Sequence, residues 1–171
     1  GIRDCLLSRG LGDVYKRQMF ILDTNVVSEL RKAGDGKADP MVVSWLSLQD
    51  TGNFYVSIIT IMELDLGIIR MERKDPRQGS RLRSWMTNHV LPAFAGRTIM
   101  IDHAVARECA ALHADTPRPE RDALIAACAL AHRMTVVTRN TIDFGSMNVD
   151  LINPWNCLLY TSDAADDSLR V

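Results

Sequence analysis

Apolar and polar positions along this chain fall into two alternating patterns. Short apolar or β-branched runs at Phe20–Leu22, Phe54–Ile58, Thr98–Ile101, Thr135–Thr138 and Val149–Ile152 predict strands. The stretches between them repeat their apolar residues every three or four positions, as helices do. Asn25–Lys32 predicts a short helix, and Pro40–Asp50 a second, with Val42, Val43, Trp45 and Leu46 on one stripe and Pro40 suited to its first turn. Thr60–Arg73 carries Ile61, Leu64, Ile68 and Met71, and Pro76 opens a further stretch bearing Leu82, Trp85, Met86 and Val90. His103–Asp115 presents Val105, Cys109 and Leu112 on one face. Asp122–Arg133 is rich in alanine, which permits close packing on a sheet. Strands that alternate with helices predict a three-layer α/β/α fold around a mostly parallel sheet of four to five strands.

The two ends do not share this pattern. Residues 19–156 read as one self-contained domain, from a methionine directly before the first strand to Asn153-Pro-Trp-Asn156. Asp13-Val-Tyr-Lys-Arg-Gln18 can be encoded by GATGTGTATAAGAGACAG. The reverse complement of that string, read one base out of frame, begins Cys-Leu-Leu-Tyr-Thr, which is Cys157–Thr161. Residues 1–18 and 157–171 are therefore expected to be translated adapter flanking the domain, and neither enters the fold argument. The rival reading is a native N-terminal arm and an acidic C-terminal tail.

Composition narrows the function classes. The 171 residues are 47% hydrophobic and 24% charged, ordinary values for one globular domain. With 20 Lys and Arg against 21 Asp and Glu, the net charge is −1. Both flanks together hold as many bases as acids, so the 19–156 segment keeps that charge. A protein that coats nucleic acid by bulk positive charge is excluded, whereas a local basic groove is not. No apolar stretch approaches the roughly 20 residues of a membrane span, and no secretory leader pattern is present; the expected location is cytoplasmic. Cys5, Cys109, Cys128 and Cys157 show no CxxC or zinc-site spacing. Cys109 and Cys128 lie in helical apolar patterns and are expected to be buried free thiols. The chain lacks GxGxxG, GxSxG, HExxH and a phosphate-binding Gly-Lys-Ser/Thr loop, and Gly34-Asp-Gly36 reads as a turn.

In an open α/β sheet, ligands collect at the carboxyl ends of the strands. The polar residues expected there are Asp23, Thr24 and Asn25 after the first strand, and Ser57, Thr60 and Glu63 after the second. Thr138, Arg139, Asn140 and Asp143 follow the fourth, and Asp122 opens the Ala-rich helix before it. Taken singly, each acid has an ordinary structural use. Asp23 and Asp122 suit helix starts, Glu63 complements a helix dipole, and Asp143 suits a turn. Asp102 also ends a strand and is read as a helix cap. Taken together, gathered carboxylates repel one another and call for a compensating cation. Oxygen ligands suit Mg²⁺ or Mn²⁺, and such an ion lowers the pKa of bound water for phosphodiester hydrolysis.

Four blocks give this constellation a family likeness: Leu22-Asp-Thr-Asn-Val-Val-Ser-Glu-Leu30, Ser57-Ile-Ile-Thr-Ile-Met-Glu-Leu64, Asp122-Ala-Leu-Ile-Ala-Ala-Cys-Ala129 and Val137-Thr-Arg-Asn-Thr-Ile-Asp-Phe144. In order and at strand ends, they resemble the signature blocks of PIN domains, especially the VapC/FitB-like toxin ribonucleases of type II toxin–antitoxin pairs. Leu91-Pro-Ala-Phe-Ala-Gly-Arg97 and Asn153-Pro-Trp155 add to the FitB-like similarity. The resemblance implies a PIN-like fold and a metal-dependent endoribonuclease. It implies Asp23, Glu63 and Asp122 as metal-binding acids, with Thr138 orienting water or the ion. The fourth acid is ambiguous. Some relatives carry Asp directly after the Arg of the last block, where this chain has Asn140; others use a later carboxylate, here Asp143. Asp143 is favoured, with Asn140 a neutral ligand or support and Asn25 a further support. The resemblance also implies a homodimer and a cognate antitoxin, through which alone DNA would be contacted.

Among the basic residues, Arg139 is the best single candidate for RNA contact. Arg70, Arg73, Lys74, Arg77, Arg81 and Arg83 read first as a solvated face. Trp45 and Trp85 sit on apolar stripes and read as core or dimer-interface residues. The four histidines lack mutual spacing, and His132 suits a helix C-terminus. Two rivals to the nuclease reading stand. One is a catalytically weak PIN-like binding protein acting in an autoregulatory antitoxin–DNA complex, motivated by the uncharged Asn140. The other is a phosphohydrolase of the haloacid-dehalogenase type, disfavoured because Asn25 stands where that chemistry needs a second acid.

Overall fold

The computed structural model describes residues 17–156. Cys5, Cys157 and nearly all of the two flanks lie outside the described residues. Gln18, the last residue of the leading flank, donates from its side-chain amide to Thr135 Oγ1 at 3.0 Å.

Five short strands, β1 (Phe20–Leu22), β2 (Phe54–Ser57), β3 (Thr98–Ile99), β4 (Thr135–Val137) and β5 (Leu151–Ile152), form one sheet in the order β3-β2-β1-β4-β5. Every pairing is parallel. The first strand in the chain is thus the middle one, with Phe20 beside both Phe54 and Thr135. Among the described residues, seven α-helices of five or more residues surround the sheet: α1 (Thr24–Ala33), α2 (Pro40–Ser47), α3 (Ile58–Lys74), α4 (Pro76–Trp85), α5 (His103–Asp115), α6 (Glu120–His132) and α7 (Thr141–Gly145). The α/β/α architecture expected from the alternating pattern is present.

Strand side chains alternate between two cores, one on each face. Phe20, Leu22, Phe54, Val56, Val137 and Ile152 join Val26, Val42, Trp45, Ile61 and Ile68 on one face. Ile21, Val136 and Ile99 join Val105, Ile125 and the alanines of α6 on the other. Burial on both faces is why the strands read as unbroken apolar runs. Trp45, one of the two tryptophans given a core or interface reading, anchors the first core. It meets Phe20 edge-on at 5.3 Å and Phe54 at 6.1 Å between ring centroids. Trp85 is only partly buried and packs against the same cluster.

Several element boundaries shift from the sequence expectation for visible reasons. β2 stops at Ser57 because the Ser57 hydroxyl accepts from Ile59 N–H at 3.1 Å and caps α3, which takes Ile58 and the residues after it. β3 stops at Ile99 and leaves Met100 and Ile101 exposed. α6 starts at Glu120, directly after Pro119, and its first turn holds both Glu120 and Asp122. α4 continues through a wide turn at Met86–Val90, where Leu91 N–H reaches back to Met86 O just ahead of Pro92, which has no N–H to give. Cys128 is fully buried as expected, but Cys109 is only partly so. Asp102 caps α5 by accepting from Val105 N–H at 2.9 Å, as its sequence position suggested.

The basic cluster is not one solvated face. Arg83 is drawn into the α3–α4 hairpin, with Nε and Nη2 on Glu72 at 3.1 and 3.3 Å and Nη1 on Asp65 at 2.5 Å. The other five members stay exposed. Beside that fork the helices come unusually close at Gly79. A Cβ there would stand 2.4 Å from Glu72 Cα, which is backbone and cannot rotate away. Gly79→Ala is therefore expected to destabilise the fold by about 1–3 kcal/mol through overpacking, read as a lowered midpoint in urea with unchanged slope.

Candidate active site

The site lies where the chain leaves β1, the strand flanked by β2 on one side and β4 on the other. In open α/β sheets, ligands bind outside the carboxyl edge where the strand order reverses in this way. Asp23 is fixed first. Its N–H donates to Val137 O at 2.9 Å, extending the β1–β4 ladder by one residue. Its Oδ1 accepts from Thr24 N–H at 2.8 Å, which caps α1. Its Oδ2 accepts from Thr138 Oγ1 at 2.8 Å and Asn25 Nδ2 at 3.2 Å. The ordinary capping use and the site placement are therefore the same geometry.

Around this carboxylate the supporting residues form a closed web. Thr138 Oγ1, fully buried, also accepts from Asn140 N–H at 2.9 Å and Asn25 Nδ2 at 3.3 Å. Asn25 Oδ1 accepts from Arg139 N–H at 3.3 Å. Asn140 Nδ2 donates to Asp143 Oδ2 at 2.6 Å, in the first turn of α7. On the β2 side, Thr24 Oγ1 donates to Glu63 Oε1 at 2.8 Å, and Arg121 Nη1 stands 3.8 Å from Glu63 Oε2. Residues from α1, α3, α6 and α7 thus meet at one edge of the sheet.

The electrostatics confirm that the acids share one field. Burial pushes the Asp23 carboxyl above its ordinary value, against the pull of Thr138, Thr24 and Asn25, and Glu63 adds to the rise. Asp122 is pushed up to about 6, first by burial and then by the charges of Asp23, Asp143 and Glu63. A carboxylate raised by three others is a group short of a cation. All the donors are oxygens, a set that fits a hard divalent ion. Among the described residues no three His, Cys, Asp or Glu side chains converge closely enough to hold a metal ion as they stand.

The structure brings together all four acids expected from the sequence, with Thr138, Asn140, Asn25 and Arg139 beside them. It adds two residues that strand-end reasoning passed over, Arg121 and Trp155, and gives a partner to Thr24, which that reasoning placed at the end of β1. Thr24 ties Glu63 to the β1 edge. Arg121, next to Asp122 in the chain, faces Glu63. Trp155 lies under Arg139, whose guanidinium carbon is 5.4 Å from the ring centroid. Arg121 could have been suspected from its adjacency to Asp122, but nothing local in the sequence pairs Trp155 with Arg139.

This arrangement has known counterparts. The PIN domain pattern matches residues 20–146. The chain belongs to the PIN-domain family. It is 37% identical to the VapC ribonuclease Y4jK of Sinorhizobium fredii over 142 residues, covering 80% of this chain and 98% of that protein. Its fold matches the crystal structure of FitAcB from Neisseria gonorrhoeae with a TM-score of 0.73 and 33% identity, over 81% of this chain and 99% of that one. A toxin–antitoxin complex from Klebsiella pneumoniae matches at a TM-score of 0.57 and 26% identity, over 78% and 96% of the two chains. The four sequence blocks of this PIN domain carry Asp23, Glu63, Asp122 and Asp143 to one crevice. No helix among its described residues is long and apolar enough to cross a membrane.

Proposed function

We propose that this PIN domain is a divalent-metal-dependent endoribonuclease and the toxin of a type II toxin–antitoxin pair. The observation that carries the proposal is the Asp122 carboxyl at about 6, held there by burial and by three neighbouring acids. Such a centre is costly to maintain, and a bound cation would offset the cost. Asp23, Glu63, Asp122 and Asp143 would hold the ion, Mg²⁺ or Mn²⁺. When bound, it supplies a water of lowered pKa and a positive charge for a phosphate oxygen.

The remaining groups have roles that follow from their contacts. Thr138 and Asn25 fix the orientation of the Asp23 carboxylate through its Oδ2. Asn140 holds Asp143 through its amide and adds no charge of its own. Arg139 offers a cation to the RNA backbone at the rim. The ribonuclease name of one relative and the toxin–antitoxin setting of another support the assignment, and they support a cognate antitoxin as partner. From the family resemblance we further infer a homodimer that meets DNA only through that antitoxin.

The test is direct. The purified chain is expected to cleave single-stranded RNA with added Mn²⁺ or Mg²⁺, to lose that activity in EDTA, and to regain it when the metal is restored. Undiminished cleavage in EDTA would overturn the mechanism. A second reading rests on Asn140, whose amide is committed to Asp143 where a further charge would otherwise stand. In that reading the chain binds RNA or antitoxin without hydrolysis, and binding by wild type with no cleavage of several RNAs, in either metal, would favour it.

A further inference from the structure

An acidic centre that must receive a polyanion needs positive charge held nearby but outside the ligand sphere. Arg139 and Trp155 form such a device, and the β4–β5 register builds it. Thr138 N–H donates to Ile152 O at 3.0 Å, so the segments leaving β4 and β5 depart side by side. One begins with Arg139 and the other with Asn153-Pro-Trp155. Asn153 Oδ1 accepts from Trp155 N–H at 3.0 Å, forming a tight turn that carries the indole back beneath Arg139. Trp155 is 9% exposed and belongs to the core that includes Leu22 and Val26, so its ring is a fixed surface.

Arg139 itself is exposed, and its backbone N–H is tied to Asn25 in the web around Asp23. Its charge is uncommitted: among the described residues no carboxylate stands within ion-pair distance of it. Glu29, which the Arg139 charge also reaches, already accepts from Asp39 N–H at 2.7 Å and Lys32 Nζ at 3.0 Å. An arginine held over an aromatic ring loses less side-chain freedom when it grips an anion than a free one does. Its planar fork also remains open to the two oxygens of a phosphate.

We propose that Trp155 is a positioning residue, holding Arg139 at the rim of the acidic centre to bind the substrate phosphate adjoining the cleaved one. The proposal rests on the ribonuclease reading above and names how its substrate is seated. It is tested on the full chain by binding of an oligouridylate in EDTA at several salt concentrations, together with metal-dependent cleavage. Arg139→Gln is expected to weaken binding several-fold and to reduce the salt slope by about 0.7, the value of one phosphate contact on a single strand. Trp155→Leu is expected to weaken binding about two- to fivefold, with Trp155→Phe restoring most of the loss. The double variant should bind no worse than Arg139→Gln alone, because the ring acts only through the guanidinium. In cleavage these losses should fall on KM rather than kcat. Arg139→Lys keeps the charge and leaves the buried ring untouched, so it serves if Trp155→Leu fails to fold; it too should weaken binding, since an ammonium lacks the flat face. Wild-type affinity in Arg139→Lys, or additive losses in the double variant, would overturn the proposal. Binding without cleavage by wild type would instead overturn the ribonuclease reading, and the binding series would still decide the role of Trp155.

Discussion

Asp23→Asn is expected to lower RNA cleavage by about 10²–10³-fold, equivalent to about 3–4 kcal/mol of transition-state stabilisation. The substitution removes one charge and keeps the size, so the effect comes from chemistry rather than volume. It also sets donors against donors. Oδ2 now accepts from Thr138 and Asn25, and an amide nitrogen placed there would face both. Turning the amide over would put that nitrogen against the Thr24 N–H that caps α1. The first orientation spoils two contacts and the second one, while relief from burying a charge offsets the loss. The melting temperature should therefore move by only a few degrees while cleavage collapses. Cleavage within a factor of three of wild type would remove Asp23 from the centre of the mechanism.

Asp122→Asn should lose cleavage as well, yet gain stability. The Asp122 carboxyl is raised from 3.8 to about 6 in the folded chain. A raised carboxyl binds its proton more tightly folded than unfolded, so ionising it costs folding free energy. That cost is absent below about pH 4, grows as pH rises through about 6, and is complete at neutral pH. Two pKa units correspond to about 3 kcal/mol, and solvent screening at this partly open side chain brings the expected gain nearer 1–2 kcal/mol. Urea unfolding of wild type and Asp122→Asn in EDTA should show the variant ahead at pH 7.5 and the two converging near pH 4. A gap that widens on acidification would contradict the shared-charge account. The same ionisation predicts that metal affinity in wild type weakens as pH falls through about 6, since bound ion and proton compete for one carboxylate.

The acids were legible in the sequence because each stands within a few residues of a strand end or helix start, where backbone topology alone places it. Asp143 was favoured over Asn140 on charge, and the structure puts its charge within reach of Asp122 while Asn140 holds it from behind. What could not be read depends on contacts between distant segments. Arg83 looks like one more charge in a basic run until α4 folds back and offers it Glu72 and Asp65. Trp155 belongs to an apolar motif, and its use as a platform for Arg139 follows from strand register. The ends of β2 and β3 were overextended because Ile58, Met100 and Ile101 continue the apolar run. In the fold the Ser57 cap claims the first of these for α3, and the other two face solvent.

The central position of β1 has a consequence for synthesis. Phe20 pairs with Phe54, but also with Thr135 far downstream, and closing so long a loop is slow and entropically costly. A chain still emerging from the ribosome can carry Asp23 and Glu63 together with β2 and α3, yet lack Val137, which anchors the Asp23 amide, and Thr138, which orients its carboxylate. The acidic crevice is therefore completed only when the last third of the domain has been made. A product stopped before β4 would lack Val137 and Thr138 and so leave Asp23 without the partners that hold it.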